Sequence, residues 1–308
     1  MPNPSPHDQI TQLSNYQIMI LVTGANGQVG QCFQRLAADF PEWDFHFAGS
    51  AALDISDKRA VTRFVQQNKN IRWVINCAAY TAVDKAESEP DKAKSINVAG
   101  AKNLADACAV LGATLIHFST DYVYHNRQNI AFKEHDPVQP KSVYARTKLA
   151  GERAALRAHP NGVMVVRTSW VYAPVGQNFV NTMLRLGKER TSISVVADQI
   201  GTPTYGPDLA LAVLQIMQKV GNGIVPKTSL AGIWHYSNEG VASWYDFAQA
   251  IFEIKNLHCA VQPIETKDYP TPALRPPFSV LNKAKIKAAF GIEIPHWRSS
   301  LVRCLEGM

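Results

Sequence analysis

The sequence predicts an α/β fold, a doubly wound parallel sheet with helices on both faces and a smaller C-terminal region beside it. Short apolar runs alternate with amphipathic stretches from residue 18 onward, which is typical of βαβ units. The first apolar run leads directly into a glycine-rich turn and then a helical stretch. With 308 residues, 46% of them hydrophobic, the chain is long enough for one large domain or two modest ones.

The elements of the first half follow in a regular order. Solidly apolar runs suit strands that are covered on both faces, and we place strands at 18–23, 45–48, 72–77, 114–119 and 163–169. The stretches between them are long enough for right-handed crossover helices, and we place these at 28–38, 58–68, 91–111 and 144–158.

The rhythm changes after residue 172. We predict helices at 179–188, 207–219 and 244–254, strands at 193–196 and 233–237, and a last helix at 283–290. Several prolines between 263 and 277 interrupt regular structure there. This half is therefore predicted to be a loop-rich region at the mouth of the sheet, where open α/β folds bind ligands.

Charge and cysteine content exclude several classes of protein. The net charge is +6, but the basic residues are scattered among acidic ones, so a nucleic-acid patch is not predicted. No apolar run is long enough to span a bilayer. The cysteines are odd in number and form no CxxC pair, which favours a reduced, cytoplasmic protein without a zinc site. They are Cys32, Cys77, Cys108, Cys259 and Cys304.

The glycine turn carries the first functional signal. Gly24, Gly27 and Gly30 follow the first strand with the spacing GxxGxxG, one residue longer than GxGxxG. Glycines permit a tight turn and close approach of a pyrophosphate to the N-terminus of the next helix. A dinucleotide site of the Rossmann type is therefore predicted. The implied organisation is a flexible leader at 1–17, a dinucleotide-binding domain at 18–172 and 206–238, and a substrate-binding region at 173–205 and 239–308.

The end of the second strand leaves the choice of cofactor open. An acid at this place binds the ribose 2′-hydroxyl of NAD, and an Arg accommodates the 2′-phosphate of NADP, but here stand Gly49 and Ser50. Asp54 and Ile55 come slightly later, within reach of an adenine. The alternative for Asp54 is that it starts the helix before Lys58.

Tyr144 and Lys148 form a YxxxK pair, whose side chains lie on the same face of a helix. A tyrosine with a pKa of about 10 is a poor proton donor at neutral pH, and a neighbouring ammonium lowers that pKa. The fourth predicted strand ends at Ser119, Thr120 and Asp121, where a hydroxyl can polarise a carbonyl oxygen beside the tyrosine. The three signals together predict a reductase site.

These motifs resemble those of the extended short-chain dehydrogenase/reductases, and particularly those acting on dTDP-linked 4-dehydro sugars. The resemblance runs from residue 18 to near the C-terminus through segments 23–30, 76–87, 119–124, 144–152, 167–172, 198–204 and 269–276. It implies reduction of the C4 ketone of dTDP-4-dehydro-L-rhamnose to dTDP-L-rhamnose by NADPH or NADH, a step of nucleotide-sugar and cell-surface polysaccharide biosynthesis.

The resemblance also implies roles for individual residues. Those implied to bind the cofactor, with the outer glycines of the turn, are Gly24, Gly27, Gln28, Val29, Gly30, Asp54, Ile55, Ala79, Tyr80, Thr81, Tyr144 and Lys148. Those implied to bind the sugar nucleotide are Thr120, Asp121, Tyr144, Trp170 and Arg275. The implied catalytic residues are Tyr144, Lys148 and Thr120. The alternatives to these binding roles are that Trp170 is a core residue and that Arg275 is a solvated surface residue.

Three other functions and the oligomeric state remain open. Dehydratase relatives place a Glu after the Thr-Asp pair, where this chain has Tyr122, which disfavours a dehydratase; an epimerase is a further alternative. The regulatory subunit of methionine adenosyltransferase is similar but acts as a binding partner. Some relatives dimerise through a metal that is held by carboxylates, one of them in the first helix. Cys32 occupies that neighbourhood in this chain. We therefore predict no metal and leave a homodimer open.

Overall fold

The structure of the protein is a computed structural model that describes residues 18–126 and 128–308. The leader predicted at 1–17 lies outside the described residues. Within the part that is described, none of the helices has the length and apolar character needed to cross a membrane.

In chain order, the strands are β1 (Met19–Thr23), β2 (Asp44–Ala48), β3 (Ile71–Asn76), β4 (Thr114–Thr120), β5 (Val163–Thr168), β6 (Val171–Tyr172), β7 (Ser192–Val196), β8 (Ile200–Gly201), β9 (Thr204–Tyr205), β10 (Gly232–His235), β11 (Ala242–Ser243) and β12 (Ala260–Ile264). The helices are α1 (Gln28–Leu36), α2 (Lys58–Gln67), α3 (Pro90–Lys94), α4 (Ala101–Leu111), α5 (Val143–Ala158), α6 (Phe179–Glu189), α7 (Gly206–Gly221), α8 (Trp244–Ile254), α9 (Ala284–Phe290) and α10 (Trp297–Glu306).

A six-stranded parallel sheet forms the centre, in the order β2-β1-β3-β4-β5-β10. Helices α1 and α7 cover one face, and α2, α4 and α5 cover the other, each over its own apolar core. The strand order reverses between β1 and β3, and such a switch point opens a crevice at the carboxyl ends of the strands. The predicted doubly wound fold is therefore confirmed.

The helix predicted at 91–111 is divided into three parts. A π-helical segment, Ser95–Gly100, separates α3 from α4. The side chain of Asn97 accepts a hydrogen bond from the N–H of Tyr80 at 2.8 Å and donates one to the carbonyl of Tyr80 at 3.2 Å. The backbone of Asn97 lies directly against Gly151 of α5. Such π-bulges are frequent at functional sites, and this one fixes the loop that follows β3.

The C-terminal region has an apolar core of its own, built mainly from α6, α8 and α10. The prediction that the last helix is at 283–290 is wrong, because α10 follows α9 and buries Trp297, Leu301, Cys304 and Leu305 at helical spacing. The strand predicted at 193–196 is β7, which pairs with β12. β12 was not predicted because it contains Pro263 and is largely exposed.

Candidate active site

A cavity of about 480 Å³ opens at the carboxyl ends of β1, β3, β4 and β5. It lies at the switch point of the sheet, where this class of fold binds ligands. Ten of the residues predicted from the sequence line it, namely Gly27, Gln28, Val29, Ala79, Thr81, Thr120, Asp121, Tyr144, Lys148 and Trp170. The topology thus brings together residues that lie more than 140 positions apart in the chain.

The glycine turn is shaped for close approach of a ligand. Gly24 has a left-handed backbone, φ +64°, and a Cβ there would lie 2.5 Å from the backbone nitrogen of Ala78, so only glycine fits. A Cβ at Gly30 would collide with the backbone of Gly24 and Ala25. No side chain caps the N-terminus of α1 at Gly27, and its first turn holds no acid. Its N–H groups are therefore available to an anion such as a diphosphate.

Helix α5 presents the YxxxK pair to the end of β4. The helix starts at Ser142, whose hydroxyl accepts a hydrogen bond from the N–H of Ala145 at 3.2 Å. Lys148 is 3% exposed, and its ammonium donates to the carbonyl of Phe118 at 2.7 Å. Tyr144 meets the side chain of Thr120. Both predicted catalytic side chains of the helix therefore face the strand end.

Burial controls the protonation of this pair. It raises the pKa of Tyr144 to about 12, against a smaller opposing effect of hydrogen bonding with Thr120. It lowers the pKa of Lys148 to about 8, which the negative charge of Glu152 opposes. The prediction that Lys148 lowers the pKa of Tyr144 is wrong here, since desolvation outweighs any effect of the ammonium. Tyr144 is therefore protonated throughout the neutral range, as a weaker acid than a free tyrosine, so only a strongly basic acceptor such as an alkoxide can take its proton.

Asp121 brings a buried carboxyl group to the same cavity. Its side chain is 2% exposed, and its Oδ2 has no hydrogen-bond partner within the described residues. Burial raises its pKa to about 7, although hydrogen bonds from Ser279 and Thr120 oppose this. A carboxyl group at the cavity wall that can be protonated near neutral pH can act as a hydrogen-bond donor or acceptor there.

Two stacked indoles line the cavity. The rings of Trp170 and Trp244 lie 3.6 Å apart between centroids, at 8° to each other. Trp170 has a left-handed backbone, φ +44°, which costs on the order of 1–3 kcal/mol for a non-glycine residue, and Gly201 leaves room for its ring. The ring of Trp170 is therefore held on the cavity, not in the core.

A second cavity of about 490 Å³ shares Trp244 with the first. Its walls are largely apolar, from α6 and β7, and two guanidinium groups, of Arg190 and Arg275, stand among them. Trp244 belongs to the walls of both cavities. The two cavities together can hold an elongated ligand with an apolar end.

The remaining predicted residues lie outside the first cavity. Ile55 is buried against Gly100, and the hydroxyl of Tyr80 donates to Glu89 at 2.9 Å. Asp54 is exposed and accepts from the N–H and hydroxyl of Ser56. The helix after it is capped by another residue, Asp57, so the alternative that Asp54 starts that helix is wrong.

Arg275 lines the second cavity and is already paired. Its two terminal nitrogens donate to the carboxylate of Asp84 at 3.0 and 2.6 Å, and Nη1 also bonds Thr271 and the carbonyl of Ala273. The alternative of a solvated arginine is therefore wrong. The ion pair joins the loop after β3 to the proline-rich loop near the C-terminus.

Sequence reasoning missed several residues that line the first cavity. Trp244 is the first residue of α8, and nothing in the sequence places it against Trp170. Asn178 caps α6 and donates to the side chain of Gln28 at 2.9 Å; an Asn before an amphipathic stretch is a signal that could have found the cap. Tyr122 packs edge-on against Tyr144, with 5.9 Å between ring centroids.

The parallel sheet, the glycine turn at its switch point and the Tyr-Lys helix beside a threonine define a dinucleotide-binding protein of the short-chain dehydrogenase/reductase class. Residues 18–308 match the model of the RmlD substrate binding domain family. The chain belongs to this family, and the resemblance seen in the sequence is confirmed.

Several similar proteins are named dTDP-4-dehydrorhamnose reductase. The chain is 41% identical over 290 residues to the dTDP-4-dehydrorhamnose reductase of Aggregatibacter actinomycetemcomitans, covering 92% of this chain and 96% of that protein. It is 38% identical over 298 residues to the enzyme of the same name from Escherichia coli, covering 93% and 97%. The solved dTDP-4-dehydrorhamnose reductase of Bacillus anthracis, in complex with NADP, superposes with a TM-score of 0.88 at 38% identity, covering 95% and 100%.

Proposed function

We propose that this protein transfers a hydride from NADPH or NADH to the C4 ketone of dTDP-4-dehydro-L-rhamnose and forms dTDP-L-rhamnose. The observation that carries the proposal is the convergence of Tyr144, Lys148 and Thr120 on a cavity that borders the glycine turn. The relatives of the same length, which are named for this reaction, support it. The proposed product is a building block of cell-surface polysaccharides.

The residues present fit a nicotinamide dinucleotide. The backbone at Gly24 and Gly30 leaves no room for side chains, and the uncapped N-terminus of α1 offers N–H groups to a diphosphate. Gln28, Val29, Ala79 and Thr81 would hold the cofactor along the crevice. Asp54, Ile55 and Tyr80 stay predictions for its adenine half.

When bound, the reduced nicotinamide supplies a hydride to the substrate carbon, and the C4 carbonyl gains two electrons. The hydroxyl of Tyr144 donates its proton to the oxygen that becomes an alkoxide, so the carbonyl ends as an alcohol. Thr120 donates a hydrogen bond to the same oxygen and polarises it. Lys148 provides a buried positive charge near that oxygen and the cofactor ribose.

The sugar nucleotide is proposed to occupy both cavities. The hexose lies in the first, against the ring of Trp170 and within reach of Asp121. The nucleoside lies in the second, among the apolar side chains of α6 and β7, with the diphosphate near Arg275 and Arg190. Because Trp244 lines both cavities, a substrate that occupies both is proposed to pass beside this side chain.

The decisive test combines substrate and reaction. The protein is incubated with NADPH and enzymatically prepared dTDP-4-dehydro-L-rhamnose, and the absorbance of the reduced nicotinamide is followed. Stoichiometric oxidation with formation of dTDP-L-rhamnose is expected. Tightly retained NAD⁺ without net oxidation would instead favour an epimerase or dehydratase, and a copurifying methionine adenosyltransferase would favour a regulatory subunit. Tyr122 disfavours the dehydratase, since it places an aromatic ring beside Tyr144 where that enzyme needs a carboxylate.

Replacing Trp244 with Ala is expected to lower kcat/KM for the sugar nucleotide by roughly tenfold, mainly through KM. The substitution removes the stack that holds Trp170 in its left-handed conformation, and such strain and stacking are each worth on the order of 1 kcal/mol. NADPH binding should change little. Trp43→Ala is the control, because Trp43 stacks on Phe40 elsewhere in the fold. Equal losses in both variants would contradict the assigned role.

The enzyme is expected to use NADH and NADPH with specificity constants within about 30-fold of each other, about 2 kcal/mol. Ser50 is exposed at the end of β2 and next to Gly49, which lies against Asn26 of the glycine turn. Neither an acid nor an arginine lies there to distinguish the ribose 2′-hydroxyl of NADH from the 2′-phosphate of NADPH. Ser50→Asp should shift preference to NADH by weakening NADPH, whereas the uncharged Ser50→Asn should not. A wild-type preference above a thousandfold would show that other residues read the ribose.

A further inference from the structure

A buried carboxylate stands one helical turn beyond Lys148 on α5. Glu152 is 1% exposed and accepts hydrogen bonds from the hydroxyl of Ser119 and from Arg167, whose Nε and Nη2 lie at 3.0 and 2.7 Å. Arg167 is itself 2% exposed. A buried ion pair of this kind is costly to form, which raises the question of what it achieves at this place.

Three polar side chains on α5 contact three consecutive residues of β4. Tyr144, Lys148 and Glu152 are spaced by four and lie on one face of the helix. Lys148 bonds the carbonyl of Phe118, Glu152 bonds Ser119, and Tyr144 meets Thr120. Together these contacts determine how far along β4 the helix sits, and hence where the hydroxyl of Tyr144 lies relative to Thr120.

The pair is also anchored from the neighbouring strand. Arg167 lies directly across from Ser119 in the parallel pairing of β4 and β5. Its Nη1 donates to the hydroxyl of Tyr124 at 2.6 Å, and that hydroxyl donates to the carbonyl of Lys133 at 3.0 Å. The carboxylate of Glu152 is thus held by two different strands, and a satisfied buried network of this kind is rigid.

We propose that Glu152 is a positioning residue of the reductase, which docks α5 on β4 and keeps the ammonium of Lys148 charged beside the cavity. The proposal rests on the proposed function for its activity measurements. Glu152 does not line the cavity, so it acts through Lys148 and Tyr144 without touching the substrate.

Two groups at the cavity change charge near neutral pH, Lys148 and Asp121. Tyr144 faces Lys148 from α5 with a pKa of about 12, beyond the working range. From β4, His117 stays neutral because burial and Lys148 hold its pKa far below the usual range. Asp121, directly after β4, titrates near 7. Arg167 on β5 remains charged. Activity that falls as pH rises through about 8 reports the loss of the proton from Lys148, and the same profile measured in an Asp121→Asn background separates it from the titration of Asp121.

The experiment compares Glu152→Gln, which keeps the length but not the charge, with Glu152→Asp, which keeps the charge but not the length. The pH dependence of kcat/KM is measured with NADPH and the 4-dehydro sugar nucleotide. In the Gln variant the alkaline limb should move to lower pH by about one unit, the low end of what a nearby opposite charge contributes, because the charge of Glu152 raises the pKa of Lys148. In the Asp variant the limb should stay while kcat falls, since the register is disturbed. Ser119→Ala, which removes a neutral partner, should also leave the limb in place.

The double variant Glu152→Gln with Arg167→Gln covers the case in which the single Gln variant does not fold, because it leaves no unpaired charge in the core. Its limb should also be lowered, by less than in the single variant, because the loss of the positive charge of Arg167 opposes the loss of the negative charge of Glu152. The limb is read a second time from the pH dependence of NADPH binding, followed by fluorescence, which needs no turnover. A folded variant without the carboxylate whose limb stays at the wild-type pH would overturn the proposal. Absence of turnover by the wild type would contradict the proposed function alone.

Discussion

Tyr144→Phe is expected to reduce kcat by about 10² to 10⁴-fold, the usual contribution of a positioned general acid. The substitution removes only the hydroxyl that meets Thr120, while the ring keeps its packing against Tyr122. Binding of NADPH should remain nearly intact, because the glycine turn and the loop after β3 are unchanged. Single-turnover kinetics together with NADPH fluorescence titration separate the two effects.

The matched control is Tyr245→Phe, which also removes one hydroxyl from the chain. That hydroxyl accepts a hydrogen bond from Gln249 at an exposed site on α8, so its loss should leave turnover within about twofold of the wild type. If the Phe variant at position 144 kept more than a tenth of the wild-type rate, another group would have to be the proton donor.

Lys148→Met is expected to lower turnover by on the order of 10²-fold and, at the same time, to stabilise the fold at neutral pH. The loss of turnover follows from the removal of the only buried ammonium on the cavity wall among the described residues. The gain in stability follows from burial. A fall of the lysine pKa from 10.5 to about 8 corresponds to a cost of about 3 kcal/mol for holding the charge in the folded protein.

The sign of the pH dependence distinguishes this effect from a change in packing. Below about pH 8 the lysine is charged in both folded and unfolded chains, so its full cost is present; between about 8 and 10.5 the folded protein alone has lost the proton, and the cost disappears. The Met variant also loses the hydrogen bond from Lys148 to the carbonyl of Phe118, and this loss offsets about 1 kcal/mol of the gain in stability. Urea unfolding should therefore show the Met variant about 2 kcal/mol more stable at pH 7, with an advantage that shrinks above pH 8. An advantage independent of pH would contradict the assigned charge.

Much of the fold could be predicted because its signals are local. The five apolar runs of the first half became neighbouring strands of the sheet, and the run at 233–237 became its edge strand. The glycine turn and the YxxxK pair are contained within seven and five residues, so their geometry follows from one turn and one helix face. Ten predicted site residues accordingly meet in one cavity.

The parts that could not be predicted depend on contacts between distant segments. Trp244 follows Trp170 by 74 residues in the chain, and the two rings stack only because α8 packs beside β6. The carboxylate of Glu152 looks like an exposed helix residue in the sequence, and only the register of β4 with β5 places Arg167 against it. The pKa of Tyr144 depends on how deeply the side chain is buried, which spacing alone does not reveal.

The ion pair between Asp84 and Arg275 has a thermodynamic consequence. Asp84 belongs to the loop that carries Ala79 and Thr81 along the proposed cofactor crevice, and Arg275 to the loop that borders the second cavity. A ligand that orders either loop therefore lowers the entropy that the other ligand must lose on binding. Linkage requires the coupling to be reciprocal. The cofactor should strengthen binding of the sugar nucleotide by the same factor by which the sugar nucleotide strengthens binding of the cofactor.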